Sequence, residues 1–171
     1  VISDPVPEGD DVELEIPPHF PPPIGFADNP LTTSGIELGR RLFYDPRLSA
    51  DSTQTCANCH LQDFNFSDFN RFSTGIDGIQ GDKNAMAIVN LAWQSTFFWD
   101  GRSVTLEEQA LEPITNPIEM HDTWENVVKK LKADPMYQDQ FTKAFGENSI
   151  SADNATKAMA QFERTMISAN S

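Results

Sequence analysis

The run Cys56-Ala57-Asn58-Cys59-His60 constrains this chain more than any other feature of its sequence. Two thiols on one helical turn can form thioethers with two vinyl groups on one edge of a porphyrin. The histidine that follows is then carried under the ring, where its imidazole can bind iron. A structural disulfide, a redox pair and half of a zinc site are the alternatives. A zinc site needs more Cys or His ligands than the chain has to spare, and a thioredoxin-like pair belongs to a βαβ pattern that the sequence does not display. We therefore predict one covalent haem c, attached through Cys56 and Cys59, with His60 as the iron ligand.

Haem is attached through thioethers outside the cytoplasm, so the motif predicts a periplasmic or otherwise exported protein. The chain opens with Val1-Ile2-Ser3-Asp4, which is neither basic nor apolar, and we interpret it as a mature form whose export signal has been removed. No apolar run approaches the ~20 residues of a membrane span, so none is expected. A lipid anchor on an upstream residue stays open.

The formal net charge of −14 argues against nucleic acid as a partner, because nucleic-acid binding demands a basic surface. Two interpretations of the acidity stay open. It is typical of a protein that meets basic partners, such as a small electron-carrying protein steered by opposite charge, and it also serves general solubility.

Residues 1–30 hold eight of the twelve prolines and an acidic cluster from Glu8 to Glu15. This composition predicts an extended, proline-rich acidic arm that either wraps the domain or tethers it. His19 lies in this arm, where a solvated side chain is the expectation. The remaining residues, 31–171, are expected to form one haem domain.

Helical patterns dominate that domain. They predict a helix that Thr33 or Ser34 caps and that ends at Asp45-Pro46, and a short one that begins at the capping box of Thr105 and closes before Pro113. Three more are expected: one capped by Asp122 or Thr123, one from Asp134-Pro135 to Gly146, and one from about Ser151. Residues 61–83 show no helical period and predict a long loop whose phenylalanines pack on the haem. The fold class is mostly α, a cytochrome c-like haem domain with long loops.

Seven segments of the chain together resemble the N-terminal, peroxidatic half of the bacterial di-haem cytochrome c peroxidases. In order they are LGRRLFYDPRLS at 38–49, CANCH at 56–60, KNA at 83–85, FWDGR at 98–102, LEEQA at 106–110, PITNPIEM at 113–120 and FERT at 162–165. The resemblance implies two-electron reduction of hydrogen peroxide to water, with electrons from a small redox protein, a cytochrome c or a cupredoxin.

The resemblance also implies roles for single residues. Glu119 matches the acid–base glutamate, Gln109 a glutamine that forms the distal pocket, and Pro113 a residue that shapes it. Trp99 matches a tryptophan that passes electrons between two haems; packing in the core is the alternative. Asn84 matches a calcium-site asparagine whose partners come from the C-terminal half of the family, so a purely hydrogen-bonding role is the alternative to calcium.

The sequence departs from the family in two ways. Many members carry a distal histidine ligand on a loop where this chain has Ile76, so an open sixth iron site is expected; Met86, Met120 and His121 are nearby substitutes. The C-terminal haem half is also absent, so this is either a fragment that lacks a second haem domain or chain, or a natural one-haem protein. The alternatives to a peroxidase are a mono-haem electron carrier and a relative that oxidises a protein side chain.

Overall fold

The computed structural model describes residues 10–169, and within them the chain is helical, with isolated bridges but no strand. This confirms the mostly α prediction. No helix in this range has the length and apolar character that crossing a bilayer requires. The α-helices, in chain order, are α1 (Thr33–Phe43), α2 (Cys56–Cys59), α3 (Leu106–Thr115), α4 (Trp124–Lys132), α5 (Pro135–Phe145) and α6 (Ala152–Arg164).

Five of these helices begin where a short polar side chain replaces the missing intrahelical hydrogen-bond acceptor. Each cap accepts a bond from the backbone N–H two or three residues later; the caps are Thr32, Thr105, Thr123, Asp134 and Ser151. The prediction of Thr33 or Ser34 as the cap of α1 was wrong by one or two residues. The Thr32 hydroxyl accepts from the Gly35 amide at 3.0 Å, and the register therefore starts one residue earlier.

The sequence predicted that the third helix closes before Pro113. This prediction was wrong, because α3 continues to Thr115. A proline inside a helix removes one hydrogen bond and costs about 3 kcal/mol. Here the next residue, Ile114, is almost fully buried in the main core, and the Asn116 amide still bonds to the Glu112 carbonyl at 2.9 Å. Burial of the helix end therefore outweighs the local cost of the proline.

The core lies where α1 crosses α6, and α4 and α5 pack against this pair. The crossing is close: a Cβ at Gly39 would overlap the Ala158 carbonyl, so only glycine lets the two backbones approach this far. A second apolar cluster lies beside the α2 turn and includes Phe43 and Phe162, with Cys56 packed against it. The helices thus form a rigid wall behind the cysteine motif.

The described part of the arm, residues 10–30, lies across the surface of the domain. The Ile24 amide donates to the Ala92 carbonyl at 2.8 Å, and the Trp93 indole donates to the Pro21 carbonyl at 2.7 Å, with Phe20 edge-on to the Trp93 ring. Of the two alternatives, these contacts favour an arm that wraps the domain. His19 is exposed. Residues 1–9, which include Glu8 of the acidic cluster, lie outside the described residues.

Candidate haem site

A cleft opens between the α2 turn, the loop 73–88, α3, the turn after α3, and α6. Its volume of about 230 Å³ is several times the roughly 30 Å³ that one water molecule occupies, so it accommodates a ligand larger than water. The lining is mainly apolar, which is typical of cofactor sites.

The two cysteines form one wall of this cleft. Thr55 begins the turn, and both its amide and its hydroxyl donate to the Asn58 side-chain oxygen, at 2.7 and 2.9 Å. Cys56 and Cys59 therefore stand one helical turn apart, half-buried and unpaired with each other. Burial raises the pKa of the Cys56 thiol to about 12, so it stays protonated at neutral pH. The free thiols do not support the disulfide alternative.

His60 follows the turn and also lines the cleft. Its Nδ1 lies 3.0 Å from the Phe66 carbonyl oxygen, and in the tautomer that donates this bond the lone pair of Nε2 is free to bind a metal. Burial lowers the pKa of the imidazole, which keeps it neutral and therefore a competent ligand. Phe66 itself has a left-handed backbone, with φ of 55°, so a strained residue holds the carbonyl that orients His60.

This donor set fits a c-type haem. Two protonated thiols and one neutral imidazole share an apolar wall, as thioether attachment and axial ligation require. Among residues 10–169, no three His, Cys, Asp or Glu side chains come close enough to hold a metal ion, so the zinc alternative finds no further ligands there.

Glu119 lies in the turn after α3 and lines the same cleft, half-buried. The Asn116 side-chain amide donates to its Oε1 at 2.7 Å, and the Glu119 carbonyl accepts from the Ile76 amide at 3.0 Å, so both ends of the residue are held. Burial raises the pKa of the carboxyl above its ordinary value, although Asn116 and the nearby Arg102 oppose this. This is not the environment of a freely solvated acid.

Gln109 and Pro113 line the cleft from α3. They are four residues apart and therefore share one face of the helix. Together with Glu119 they bring the three predicted distal residues to one cavity.

Trp99 lies at the edge of the cleft and is 64% exposed, so the alternative in which it packs in the core is wrong. Its indole N–H donates to the Asn84 backbone carbonyl at 2.9 Å. The Asn84 side chain also lines the cleft, and its amide donates to the backbone carbonyls of Asp68 and Asn70 at 2.9 and 2.6 Å. Asn84 thus ties the loop to itself, while its calcium role stays a prediction.

The candidate sixth ligands separate into two groups. Ile76 is not part of the cleft wall, and His121 is half exposed, with its Nδ1 2.5 Å from Asp77. Met86 and Met120 do line the cleft.

The cleft lining also includes polar residues that the sequence analysis gave no role, among them Arg102, Asn116 and Glu163. All three belong to the sequence segments that carry the family resemblance, which was the available signal. Glu163 had a second signal, because it follows Met159 by four residues and so shares the face of the apolar stripe on α6.

The family model described as di-haem cytochrome c peroxidase matches residues 33–171. Methylamine utilization protein MauG of Methylophilus methylotrophus is 39% identical over 152 residues, which are 89% of this chain and 44% of that protein. Cytochrome c peroxidase Ccp of Escherichia coli (strain K12) is 40% identical over 143 residues, which are 83% of this chain and 30% of that protein.

Among solved structures, a MauG-like protein associated with microbial copper homeostasis superimposes with a TM-score of 0.85 and 36% identity. The superposition covers 92% of this chain and 47% of that chain. The chain spans less than half the length of each of these three proteins.

Proposed function

Because this chain belongs to the di-haem cytochrome c peroxidase family, whose members depend on haem c, we propose that residues 31–171 form a haem c domain that reduces hydrogen peroxide to water. The proposal places it in the periplasm or another exported location. Electrons would come from a small cytochrome c or cupredoxin, through a second haem domain or chain. The described part of the arm, residues 10–30, would wrap the domain.

The observation that carries this proposal is a half-buried carboxyl, Glu119, in the same cleft as the Cys56, Cys59 and His60 motif. The two cysteines would hold one haem covalently and His60 would ligate its iron. When bound, this haem supplies an iron centre that receives electrons singly and delivers them to peroxide.

Glu119 would move the proton. One oxygen of hydrogen peroxide has to lose a proton and the other has to gain one before it leaves as water, and a single carboxyl that accepts and returns a proton does both. Because its pKa is raised by burial, the carboxyl holds a proton more readily than a solvated glutamate does. The bond from Asn116 fixes Oε1 and so orients the group.

Gln109 would hold the peroxide by hydrogen bonding, since its amide both donates and accepts, while the ring of Pro113 adds an apolar surface beside it. Trp99 would pass electrons at the exposed edge of the cleft. Asn84 would mainly stabilise the loop, because calcium there would need oxygen ligands from a second domain.

Peroxide would reach the site without an activating step. The family resemblance puts Ile76 near the position where many relatives carry a removable histidine ligand, and isoleucine cannot bind iron. His121 is engaged by Asp77 outside the cleft wall.

An electron carrier with one haem is the second candidate, and the two methionines that line the cleft favour it. A thioether of Met86 or Met120 on the iron would close the site. The optical spectrum separates the two. A high-spin ferric band that shifts with cyanide supports the peroxidase, and a low-spin spectrum with a methionine-to-iron charge-transfer band supports the carrier.

Substituting Glu119→Gln in the haem-loaded protein tests the mechanism. We expect the haem spectrum to stay unchanged and the rate of reaction with peroxide, measured by stopped-flow absorption, to fall roughly 10²–10⁴-fold, because the proton transfer is lost. Glu125→Gln, on the exposed face of α4, is the matched control and should react like the parent. An unchanged rate in Glu119→Gln contradicts the proposed role.

A further inference from the structure

A second acid lines the cleft and has no part in the mechanism above. Glu163 lies near the end of α6 and is only 5% exposed, and its Oε2 has no hydrogen-bond partner among residues 10–169. A buried carboxyl oxygen without a partner costs about 1–3 kcal/mol, and apolar residues fill such positions without that penalty. An unsatisfied group of this kind in a cofactor cleft points to a role toward the cofactor.

The neighbouring arginine directs its hydrogen bonds away from Glu163. Arg164, the next residue, directs its guanidinium to Glu107 on α3, with nitrogen–oxygen distances of 2.6 and 3.0 Å. The ring of Phe26, from the arm, lies 5.6 Å from the same guanidinium. The ion pair that could have neutralised Glu163 is therefore used elsewhere.

Two charged groups shift the pKa of Glu163: Arg164 on its own helix and Glu107 on α3. Glu163 in turn raises the pKa of the Cys56 thiol on α2. Burial raises the pKa of Glu163 to about 8, Arg164 lowers it in part, and Glu107 raises it further. The carboxyl is therefore mostly protonated at neutral pH, yet it can lose its proton within the physiological range.

The position of Glu163 beside Cys56 couples it to the haem that this cysteine would carry. Charges in a water-poor cleft interact more strongly than charges in solvent. A carboxylate here stabilises the more positive, oxidised state of the cofactor, and the neutral acid favours the reduced state.

We propose that Glu163 is a proton-binding residue coupled to reduction of the bound haem. As the haem accepts one electron from its redox-protein donor, the carboxylate takes up one proton from solvent, and it returns that proton when the haem is oxidised. One electron and one proton therefore enter together, and no bond other than O–H forms or breaks. This inference rests on one part of the proposed function, the binding of a haem. It does not depend on reaction of that haem with peroxide.

Glu163 and Glu119 lie in different environments, and the roles proposed for them are separate. Asn116 donates a hydrogen bond to Glu119 on the turn after α3, whereas Oε2 of Glu163 on α6 has no partner in the part of the chain that the structure describes. Glu119 is also not among the groups that shift the pKa of Glu163.

The experiment is a spectroelectrochemical titration of the haem-loaded chain from pH 6 to pH 9.5. In the parent, we expect the equilibrium constant for reduction to fall up to tenfold for each pH unit around pH 8, which is about 59 mV for a one-electron couple. Glu163→Gln should remove this dependence. Glu163→Asp should retain it at a displaced pH, and Glu125→Gln should leave it unchanged.

A flat potential in the parent, or an equal slope in Glu163→Gln, overturns the proposal. If Glu163→Gln does not incorporate haem, the reduced-minus-oxidised infrared difference spectrum of the parent decides instead. A carboxylic C=O band must appear on reduction and shift in Glu163→Asp; its absence also overturns the proposal. A pH-dependent potential without peroxide turnover would support this inference and count against the peroxidase function.

Discussion

The helical wall and the loop from residue 60 to residue 104 are built on different principles. The wall of α1, α4, α5 and α6 has capped helices and fully buried side chains such as Leu38 and Phe141. The loop exposes large aromatics, among them Phe69 and Trp99, each at 64%. The loop does bury Ile88, Leu91 and Phe97 in the second apolar cluster, but it buries fewer apolar side chains than the wall does. A region with fewer buried apolar contacts opens at lower free energy, so we expect the loop to depend more than the wall on what binds in the cleft.

Strained backbone conformations also distinguish the loop from the wall. In the loop, Phe66, Asn90 and Phe98 have left-handed backbones with φ of 55–65°, a conformation that costs about 1–2 kcal/mol for a non-glycine residue. Phe66 is nonetheless held, because its amide bonds to the Leu61 carbonyl at 2.8 Å and its own carbonyl receives His60. These hydrogen bonds of Phe66 therefore help to orient the predicted iron ligand, His60.

We expect the largest difference between the wall and the loop when the haem can no longer be attached. The double variant Cys56→Ala/Cys59→Ala should lose all covalent haem, seen as loss of visible absorbance and of haem stain in denaturing gels, because no thioether can form. Amide hydrogen exchange should accelerate in residues 60–104 and change little in α1 and α6. Asp63→Asn, exposed in the same loop, is the control. Equal acceleration across both regions would show that the wall also needs the haem.

The same substitution, phenylalanine to alanine, can be made in both regions to compare their contributions to the free energy of unfolding. Phe141→Ala should lower the free energy of unfolding by about 3–5 kcal/mol, because the side chain is fully buried in the main core. Phe69→Ala should change it by less than about 0.5 kcal/mol, because the ring is mostly exposed. Denaturant unfolding of the haem-loaded proteins measures both. Similar losses at the two positions would contradict the division into wall and loop.

A smaller effect concerns the ion pair that joins α3 to helix α6 of the wall. Burial raises the pKa of Glu107, but the hydrogen bonds and charge of Arg164 outweigh it, so the pKa lies below its ordinary value. A depressed carboxyl pKa stabilises the fold above the unfolded-state value, about 4.3, and this stability is lost as the pH falls through the folded-state pKa. Glu107→Gln should therefore cost about 1–3 kcal/mol at pH 7 and much less at low pH.

Thermal unfolding at several pH values measures this dependence. Asp139→Asn, in an exposed pair with Lys143, is the control and should show little change at any pH. A cost for Glu107→Gln that does not decline in acid would mean that the loss comes from packing rather than from charge.

Much of the helical wall was predictable because its determinants are local. Asp134, Pro135 and Gly146 set both ends of α5, and each acts on backbone groups within four residues. The cleft was predictable only where a motif carries its own chemistry, as in the cysteine and histidine turn. Pro113 shows the limit of local reasoning: its effect on a helix is local, but the burial of Ile114 that overrides it comes from other segments.

The sequence by itself determined the cysteine and histidine turn, the order of the helices and the family of the chain, because spacing along the chain decides each of them. Only the tertiary structure decided which side chains meet. It places His121 against Asp77, brings Met86 and Met120 to the cleft, and pairs Arg164 with Glu107. Within the described residues, Oε2 of Glu163 is left without a hydrogen-bond partner. The two ion pairs join residues 44 and 57 positions apart, so they depend on segments that compete for the same space and the same charges. No local pattern encodes that competition.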